Sequence, residues 1–521
     1  MPRRFVIVFV VDGLRPDHIT VEDTPTLHRL RTNGVDFLDS HAVFPTVTRV
    51  NSATLATGMQ PGTHGIIGNQ LYVPAVDPRR AFDTGNYRNL VRLSHPTTLA
   101  DRLHARGRSL AAVSSGSTGS AFLLNPHAPR GVGMLVNGYF DPGKTVAWPP
   151  DRSAAILAKF GLAPQKKRGE RYDGVVAWTQ RVLREYVIPE CAPDVVIDWL
   201  TEPDHTQHAV GVGSAAARET IANADREIAH VLSGLSLGST DVFVVSDHGF
   251  TTNRSGVDVR GALEDAKLPA VIASSGQAVA VHAERRYLPA IVRMIQAKDW
   301  GGVLFTAGRA PGDPHGIVDG TFSLDLIHLA HGERSADLVF TFPWTSDRSK
   351  LGVRGTDLAA IGGAGSIYHS DHGSMSPWNV RNTFIAWGAS FKSGVAVRTP
   401  VGNVDVAPTI LALLGITDES DFDGRVLREA LAGGPDEETI AVDTRTHTVG
   451  AGDYRAAIQV SLVDDRRYVD KSWRIAAPAR VSTGTRSRRA PAAPRGSRPA
   501  SGGPSGRSPA SPRTTRRRRP G

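Results

Sequence analysis

Three short apolar runs set the pattern of this chain: Phe5–Val11, the stretch Asp194-Val195-Val196-Ile197-Asp198-Trp199-Leu200, and Asp241–Val245. They are rich in Val and Ile and do not alternate with polar residues, as expected for strands covered on both faces of a parallel sheet. Between them the spacing turns helical. Thr24–Gly34 places Leu27 and Leu30 on one face. Glu219–Ser233 does the same with Ile221, Ala224, Ile228 and Val231-Leu232, and glycines end both helices. Strands separated by long, partly helical connections predict an α/β fold.

Residues 70–190 are rich in Pro, Gly and Arg. With a loop at Ser114–Ser120 and a last helix at Tyr172–Val187, they read as an insertion capping the site. Residues 251–350 combine short strands (Ala278–His282, Val303–Thr306, Leu338–Phe342) with a helix at Leu288–Gln296, and read as a smaller inserted α+β subdomain. The main unit resumes at Ile367–Ser374 and Thr383–Gly388. A helix follows at Val406–Leu414 with Pro408 in its first turn, and Tyr454–Val460 with Arg467–Val469 predicts a late hairpin.

Composition changes this picture in one place. The 521 residues carry a formal charge of +9, which by itself suggests an anionic partner. Eleven arginines and no acid lie between Val481 and Gly521, so residues 1–480 stand at about −2. The tail, residues 476–521, is Arg, Pro, Ser, Ala and Gly and is expected to be disordered. Nucleic acid is therefore expected to bind, if at all, through the tail and not through the folded unit, residues 1–475. The single cysteine, Cys191, excludes an intrachain disulfide. No apolar run reaches the ~18 residues of a membrane span. Phe5–Val11 is too short for a signal peptide and ends in Asp12-Gly13, so the expected location is cytoplasmic.

The candidate chemistry sits at strand ends, where open α/β sheets gather their ligands. Asp12 follows the first apolar run, Asp204 and His208 follow the second, Asp247 and His248 the third, and His372 lies in a Gly-flanked loop. Mixed carboxylate and imidazole donors suit Zn²⁺ or Mn²⁺ rather than Mg²⁺ or Ca²⁺, and six donors suit two ions rather than one. The stretch Phe44-Pro45-Thr46-Val47-Thr48-Arg49-Val50-Asn51 then reads as a turn opening a helix that ends at Gly58. A threonine hydroxyl there lies in the positive field of a helix N-terminus, which suits a nucleophile for a phosphate-like anion.

Together Val11-Asp12-Gly13, Phe44–Thr48 with Asn51 and Thr57-Gly58, and His64–Asn69 resemble the alkaline phosphatase superfamily. So do Glu202-Pro203-Asp204 with His208, Ser246–Gly249, and Asp371–Gly373 with Asn382-Thr383 and Trp387-Gly388. Within it the chain is most similar to the type I phosphodiesterase/nucleotide pyrophosphatase family. The resemblance implies a mostly parallel sheet sandwiched between helices and a two-metal hydrolase acting on small phosphodiester or nucleotide-like substrates. It also implies that Asp12, Thr48, Asp247 and His248 hold one ion, most readily Zn²⁺ with Mn²⁺ as the alternative, and Asp204, His208 and His372 the other. Thr48 rather than Thr46 would be the nucleophile, forming a covalent phospho-threonine, and Asn69 would bind the phosphate. His205 and His369 are the nearest false candidates for ligands.

Where nucleotide-binding members carry an aromatic after the nucleophile, this chain has Arg49. Arginine can stack, and equally suggests a further negative group on the substrate. A phosphonate hydrolase of the phosphonoacetate type is the alternative with the same metal site. A sulfatase is disfavoured because the Cys191 segment lacks that family's modification motif. The sequence leaves the oligomeric state open.

Overall fold

Nine strands form the central sheet, and their sequences explain their positions in it. They are β1 (Phe5–Val11), β2 (Val35–Phe37), β3 (Leu110–Ser114), β4 (Met134–Asp141), β5 (Thr145–Trp148), β6 (Val195–Leu200), β7 (Thr240–Val245), β8 (Phe384–Gly388) and β9 (Val395–Val397). The computed structural model describes residues 4–141, 143–165, 170–361, 367–417 and 422–476. Across the sheet the order is β9-β2-β8-β7-β1-β6-β3-β4-β5. The five strands β7-β1-β6-β3-β4 are mutually parallel, whereas β8 and β5 run antiparallel to their inner neighbours.

Strand β1 is apolar at every position because it is covered on both sides. Val6, Val8 and Val10 enter one hydrophobic layer, and Ile7, Phe9 and Val11 the other. Each such side chain contributes about 1.5–3 kcal/mol by burial. The Ile7 side is packed by α1 (Pro25–Asn33), the helix Asp173–Val182 and the helix Ala215–Ser233. The Val6 side is packed by α2 (Thr48–Thr57), α3 (Thr118–Leu124) and the helix Val406–Leu413. Helix α2 stops at Gly58, whose φ of 66° is the left-handed C-terminal conformation that glycine adopts without strain.

Register aligns the strand ends. Val11 pairs with Leu200 and Val10 with Val245, so the segments starting at Asp12, Thr201 and Ser246 leave the sheet along one edge. The second and third apolar runs are each found within one residue of their expected bounds.

Several expectations differ from the structure. Residues 70–190 do not stand outside the sheet as a cap: β3, β4 and β5 extend it beyond β6. Their strand signal was weak because β3 is the short, alanine-rich Leu-Ala-Ala-Val-Ser. The loop expected at Ser114–Ser120 is cut short by α3, whose N-cap Ser117 accepts from the Ser120 N–H at 3.3 Å. The late hairpin is a three-stranded antiparallel sheet, Val442–Ala451, Tyr454–Val463 and Arg466–Arg474. Its first strand is polar and largely exposed, and so left no apolar trace.

Within 251–350, Ala278–His282, Leu338–Thr341 and Leu304–Thr306 are neighbouring strands of a separate five-stranded sheet, accompanied by the helix Leu288–Gln296. Thr251–Val257 instead pairs with Arg354–Ala360 and with Ser370-Asp371, which brings the 370–372 segment to the active edge. The arginine-rich tail lies outside the described residues except for Ala476. Among the described residues no helix is long and apolar enough to cross a membrane.

Asp198 in β6 gives a stability prediction. It is fully buried, and both its oxygens accept from Gln180 Nε2, at 2.9 and 2.8 Å. Burial raises its pKa from 3.8 to about 7, with the Gln180 bond only partly opposing. Folding therefore favours the protonated acid. Its contribution is complete below about pH 4 and is lost as the pH rises through 7. Asp198→Asn removes this titration and keeps an acceptor for Gln180. Relative to wild type, the variant should gain on the order of 4 kcal/mol between pH 4 and pH 8 in denaturant unfolding. Parallel pH profiles would refute a buried charge at this position.

Candidate active site

The aligned strand ends place the acids and histidines of the sequence motifs in one cluster. From the β1 end, Asp12 accepts from Trp199 Nε1 at 3.0 Å through Oδ2. From the β7 end, Asp247 Oδ1 accepts the Gly13 N–H at 3.0 Å. Gly13 has φ 71°, and a Cβ there would stand 2.8 Å from the Phe250 ring, so glycine is required for this contact. Asp204 and His208 lie one turn apart on the helix Asp204–Val210, which holds them on one face.

The three histidines share one arrangement. Nδ1 of His208 faces the Ser370 carbonyl at 2.9 Å, that of His248 the Gly249 carbonyl at 3.0 Å, and that of His372 the Thr46 carbonyl at 2.8 Å. A carbonyl oxygen only accepts, so each Nδ1 carries a proton and, in the neutral ring, each Nε2 offers its lone pair to the cluster. His248 Nε2 lies 3.0 Å from Asp247 Oδ2, 3.6 Å from Asp12 Oδ1 and 4.0 Å from Asp204 Oδ1. Asp204 Oδ1 is also 3.3 Å from His208 Nε2 and 3.4 Å from His372 Nε2. The His248 and His372 rings are stacked, with centroids 3.5 Å apart.

Among the described residues the facing oxygens have no hydrogen-bond donors. Asp12 Oδ1, Asp204 Oδ1 and Asp247 Oδ2 are all buried without a partner. Burial, together with the Asp247 and Asp204 charges, pushes Asp12 well above the carboxylate range. Burial opposes ionisation of Asp204, but His208 and His372 outweigh it and hold that acid well below the usual range. Burial likewise opposes the charge on His208, yet Asp204 raises it to about 9. Three converging acids and three aimed imidazoles, with their outer atoms already fixed by the fold, fit divalent cations: the orphaned oxygens need positive charge, and the donor types match Zn²⁺ or Mn²⁺. Among the described residues three sets have ligand atoms mutually within 4.8 Å: Asp12 with Asp247 and His248, Asp204 with His248 and His372, and His208 with Asp371 and His372.

Thr48 opens α2 with its Oγ1 3.4 Å from His248 Nε2. The Thr46 hydroxyl is turned away and doubly engaged. It donates to the Ser374 carbonyl at 2.9 Å and accepts the Gly373 N–H at 3.1 Å. Asn51 anchors the same turn through Val43 and Val47. Asn69 Oδ1 accepts the Arg49 N–H at 3.3 Å, and its own N–H donates to Ser275 Oγ at 3.0 Å. Asn69 and Arg49 line, with Thr48, Asp12, Asp204, His208 and His372, a cavity of about 310 Å³. A larger cleft of about 1250 Å³, around Arg285 and Arg309, holds none of these residues, so size does not locate the site.

His369 is exposed, and His205 packs edge-on against Tyr172 with centroids 4.7 Å apart. Two residues of the cluster carried no assignment in the sequence. Trp199 was visible only as an apolar position of β6, although alternation along the strand turns it towards Asp12. Asp371 belongs to a motif but had no role. Its Oδ1 accepts the backbone N–H of His372 at 2.9 Å and lies 3.8 Å from His208 Nδ1, which places it beside both histidines.

A sequence model described as type I phosphodiesterase / nucleotide pyrophosphatase matches residues 6–340, which contain every site residue except Asp371 and His372. A venom phosphodiesterase of Naja atra is 25% identical over 251 residues, 47% of this chain and 26% of that protein. Ectonucleotide pyrophosphatase/phosphodiesterase family member 3 of Mus musculus is 24% identical over 253 residues, 47% and 24% of the two chains. The chain thus matches about a quarter of the length of these relatives, whose names, venom and ecto-, lend no support to a cytoplasmic location. Among solved structures, murine ectonucleotide pyrophosphatase / phosphodiesterase 5 aligns with a TM-score of 0.56 at 16% identity, covering 82% of this chain and all of that one. The same protein in complex with AMP aligns at 0.54 and 17% identity, over 80% of this chain and 96% of that one. These likenesses agree with the nine-stranded α/β sandwich, and the extent of the sequence match establishes that the chain belongs to the type I phosphodiesterase/nucleotide pyrophosphatase family.

Proposed function

We propose that the chain is a two-metal hydrolase that cleaves phosphodiester or pyrophosphate bonds of nucleotide-type substrates through Thr48. The observation that supports this most directly is the Thr48 hydroxyl at the start of α2, against a buried cluster whose three carboxylate oxygens lack partners. In this reading Asp12, Thr48, Asp247 and His248 hold one divalent ion, and Asp204, His208 and His372 the other, Zn²⁺ being preferred and Mn²⁺ acceptable. The ions would neutralise phosphoryl charge and make the threonine alkoxide accessible near neutral pH.

The chain's own residues do the rest. Trp199, Gly13 and the three backbone carbonyls fix the donors in place before substrate arrives. Thr48 gives up its hydroxyl proton to solvent and Oγ1 attacks phosphorus. The Oγ1–P bond forms as the P–O bond to the leaving alkoxide, or to the leaving phosphate of a pyrophosphate, breaks in line with it, and a leaving alkoxide takes a proton from water. Asn69, held by Ser275 and by the Arg49 N–H, keeps its Nδ2 donor for a non-bridging oxygen as charge develops there. Water then cleaves the phosphoryl-threonine and frees the hydroxyl for another turnover.

A side-by-side rate comparison on a phosphodiester, a phosphomonoester, a phosphonoacetate and a sulfate ester, with bound metal measured, tests the reading. The diester should be hydrolysed fastest. Fastest turnover of the phosphonoacetate would instead identify the phosphonate hydrolase that shares this ligand set. Failure on all four substrates by metal-loaded protein would remove the hydrolase reading.

A further inference from the structure

Beside Thr48 the cavity carries a cation with little to do inside the protein. Arg49 is half-buried, and its guanidinium makes one long contact, Nη2 to Ser117 Oγ at 3.5 Å. Its Nε is buried without a partner. Among the described residues no carboxylate lies within 4.0 Å of the guanidinium. Asp83 lines the same cavity, but its Oδ1 is occupied by the Gly85 N–H at 2.9 Å. Asp83 and Arg49 flank Gly85, where a Cβ would stand 2.9 Å from Asp83 Oδ2 and 2.6 Å from Arg49 Nη2.

The wall around Arg49 is built of hydrogen-bonding groups, including Ser117, Ser120, Gln70 and Ser274. Tyr172 packs edge-on against His205, and the Tyr368 ring lies on His208 with centroids 4.4 Å apart. The wall nearest Arg49 suits charged and hydroxylated groups. A part-buried guanidinium with an unmet N–H is costly until an anion satisfies it.

We infer that Arg49 recognises a second anionic group, a carboxylate or a phosphate, on the ester unit beside the scissile phosphate. Preferred substrates are then small, polar phosphodiesters with one negative charge beyond the scissile group. The guanidinium takes the anion through charge-assisted bonds. This inference rests on the phosphodiesterase reading.

Three p-nitrophenyl phosphodiesters test it on the full, metal-loaded chain: one with a neutral hydroxyalkyl second ester, one with a carboxylate on that ester and one with a phosphate. Wild type should prefer at least one anionic ester by about tenfold or more in kcat/KM, mostly through KM, and the two anionic arms show which group is read. Arg49→Ala should bring that preference close to one, and Arg49→Lys should restore part of it, which a merely structural arginine would not do. Equal turnover of all three esters by wild type would overturn the inference, as would a loss in Arg49→Ala that is the same for each. Failure of folded, metal-loaded wild type on every ester would instead overturn the phosphodiesterase reading beneath it.

Discussion

Thr48→Ala is expected to lower kcat on a phosphodiester by at least about a thousandfold, because the substitution removes the attacking atom and leaves only binding and electrostatic stabilisation. The side chain sits at the first position of α2, is 8% exposed and, among the described residues, makes one side-chain contact of hydrogen-bond type, to His248 at 3.4 Å, so the fold should survive its loss. Thr46→Ala is the matched control. Its buried hydroxyl joins Ser374 to Gly373, and losing it should cost about 1–3 kcal/mol of stability with kcat within a few fold of wild type. A Thr46→Ala enzyme that is stable but inactive, or a Thr48→Ala enzyme with full activity, would reverse the assignment of the two threonines.

Exhaustive chelation is expected to abolish turnover and to lower the melting temperature. The cluster gathers Asp12, Asp204 and Asp247 with three oxygens that lack donors among the described residues, so cations bound there stabilise the folded state. Ions held at a thousandfold saturation add about 4 kcal/mol. A chain of this length unfolds with an entropy on the order of 1 kcal/mol per kelvin, so Tm should fall by about 4 °C. Zn²⁺ or Mn²⁺ should restore both properties. Calorimetry with metal analysis checks this, and undiminished activity in protein shown to be metal-free would contradict it. The high pKa of His208, about 9, adds a sign: metal must displace a proton there, so loading should weaken as the pH falls.

The residues most legible in the sequence are those that stand directly after a buried strand. Asp12 and Asp247 were readable because β1 and β7 are continuous apolar runs that end abruptly in acids, and parallel register then brings the two ends together. Helix α2 was readable from the Thr48-to-Gly58 pattern. The resemblance already pointed to Thr48 rather than Thr46; what the motif could not show is that the Thr46 hydroxyl is occupied by residues more than three hundred positions away.

Other features were hidden for local reasons. Strand β3 carries two adjacent alanines, and its place in the sheet is decided by pairing with β6 and β4 rather than by its own apolar content. The exposed strand Val442–Ala451 is held by pairing with Tyr454–Val463 along its whole length, and its polar alternation resembles a loop. Trp199 offers no metal-donor atom and is placed beside Asp12 only by the fold, and Asp371 is placed beside His208 and His372 only by the pairing of its strand. Arg49 was recognised as a departure. Its unmet Nε and its serine-lined surroundings are properties of the folded cavity alone.

The central claim is a double displacement at phosphorus through Thr48, and the steric course of the reaction tests it most directly. A phosphodiester analogue made chiral at phosphorus with sulfur and oxygen isotopes, hydrolysed by the metal-loaded protein, should give product with retained configuration, since two in-line displacements each invert it. Inversion would show that water attacks phosphorus in a single step, and would contradict a covalent phosphoryl-threonine.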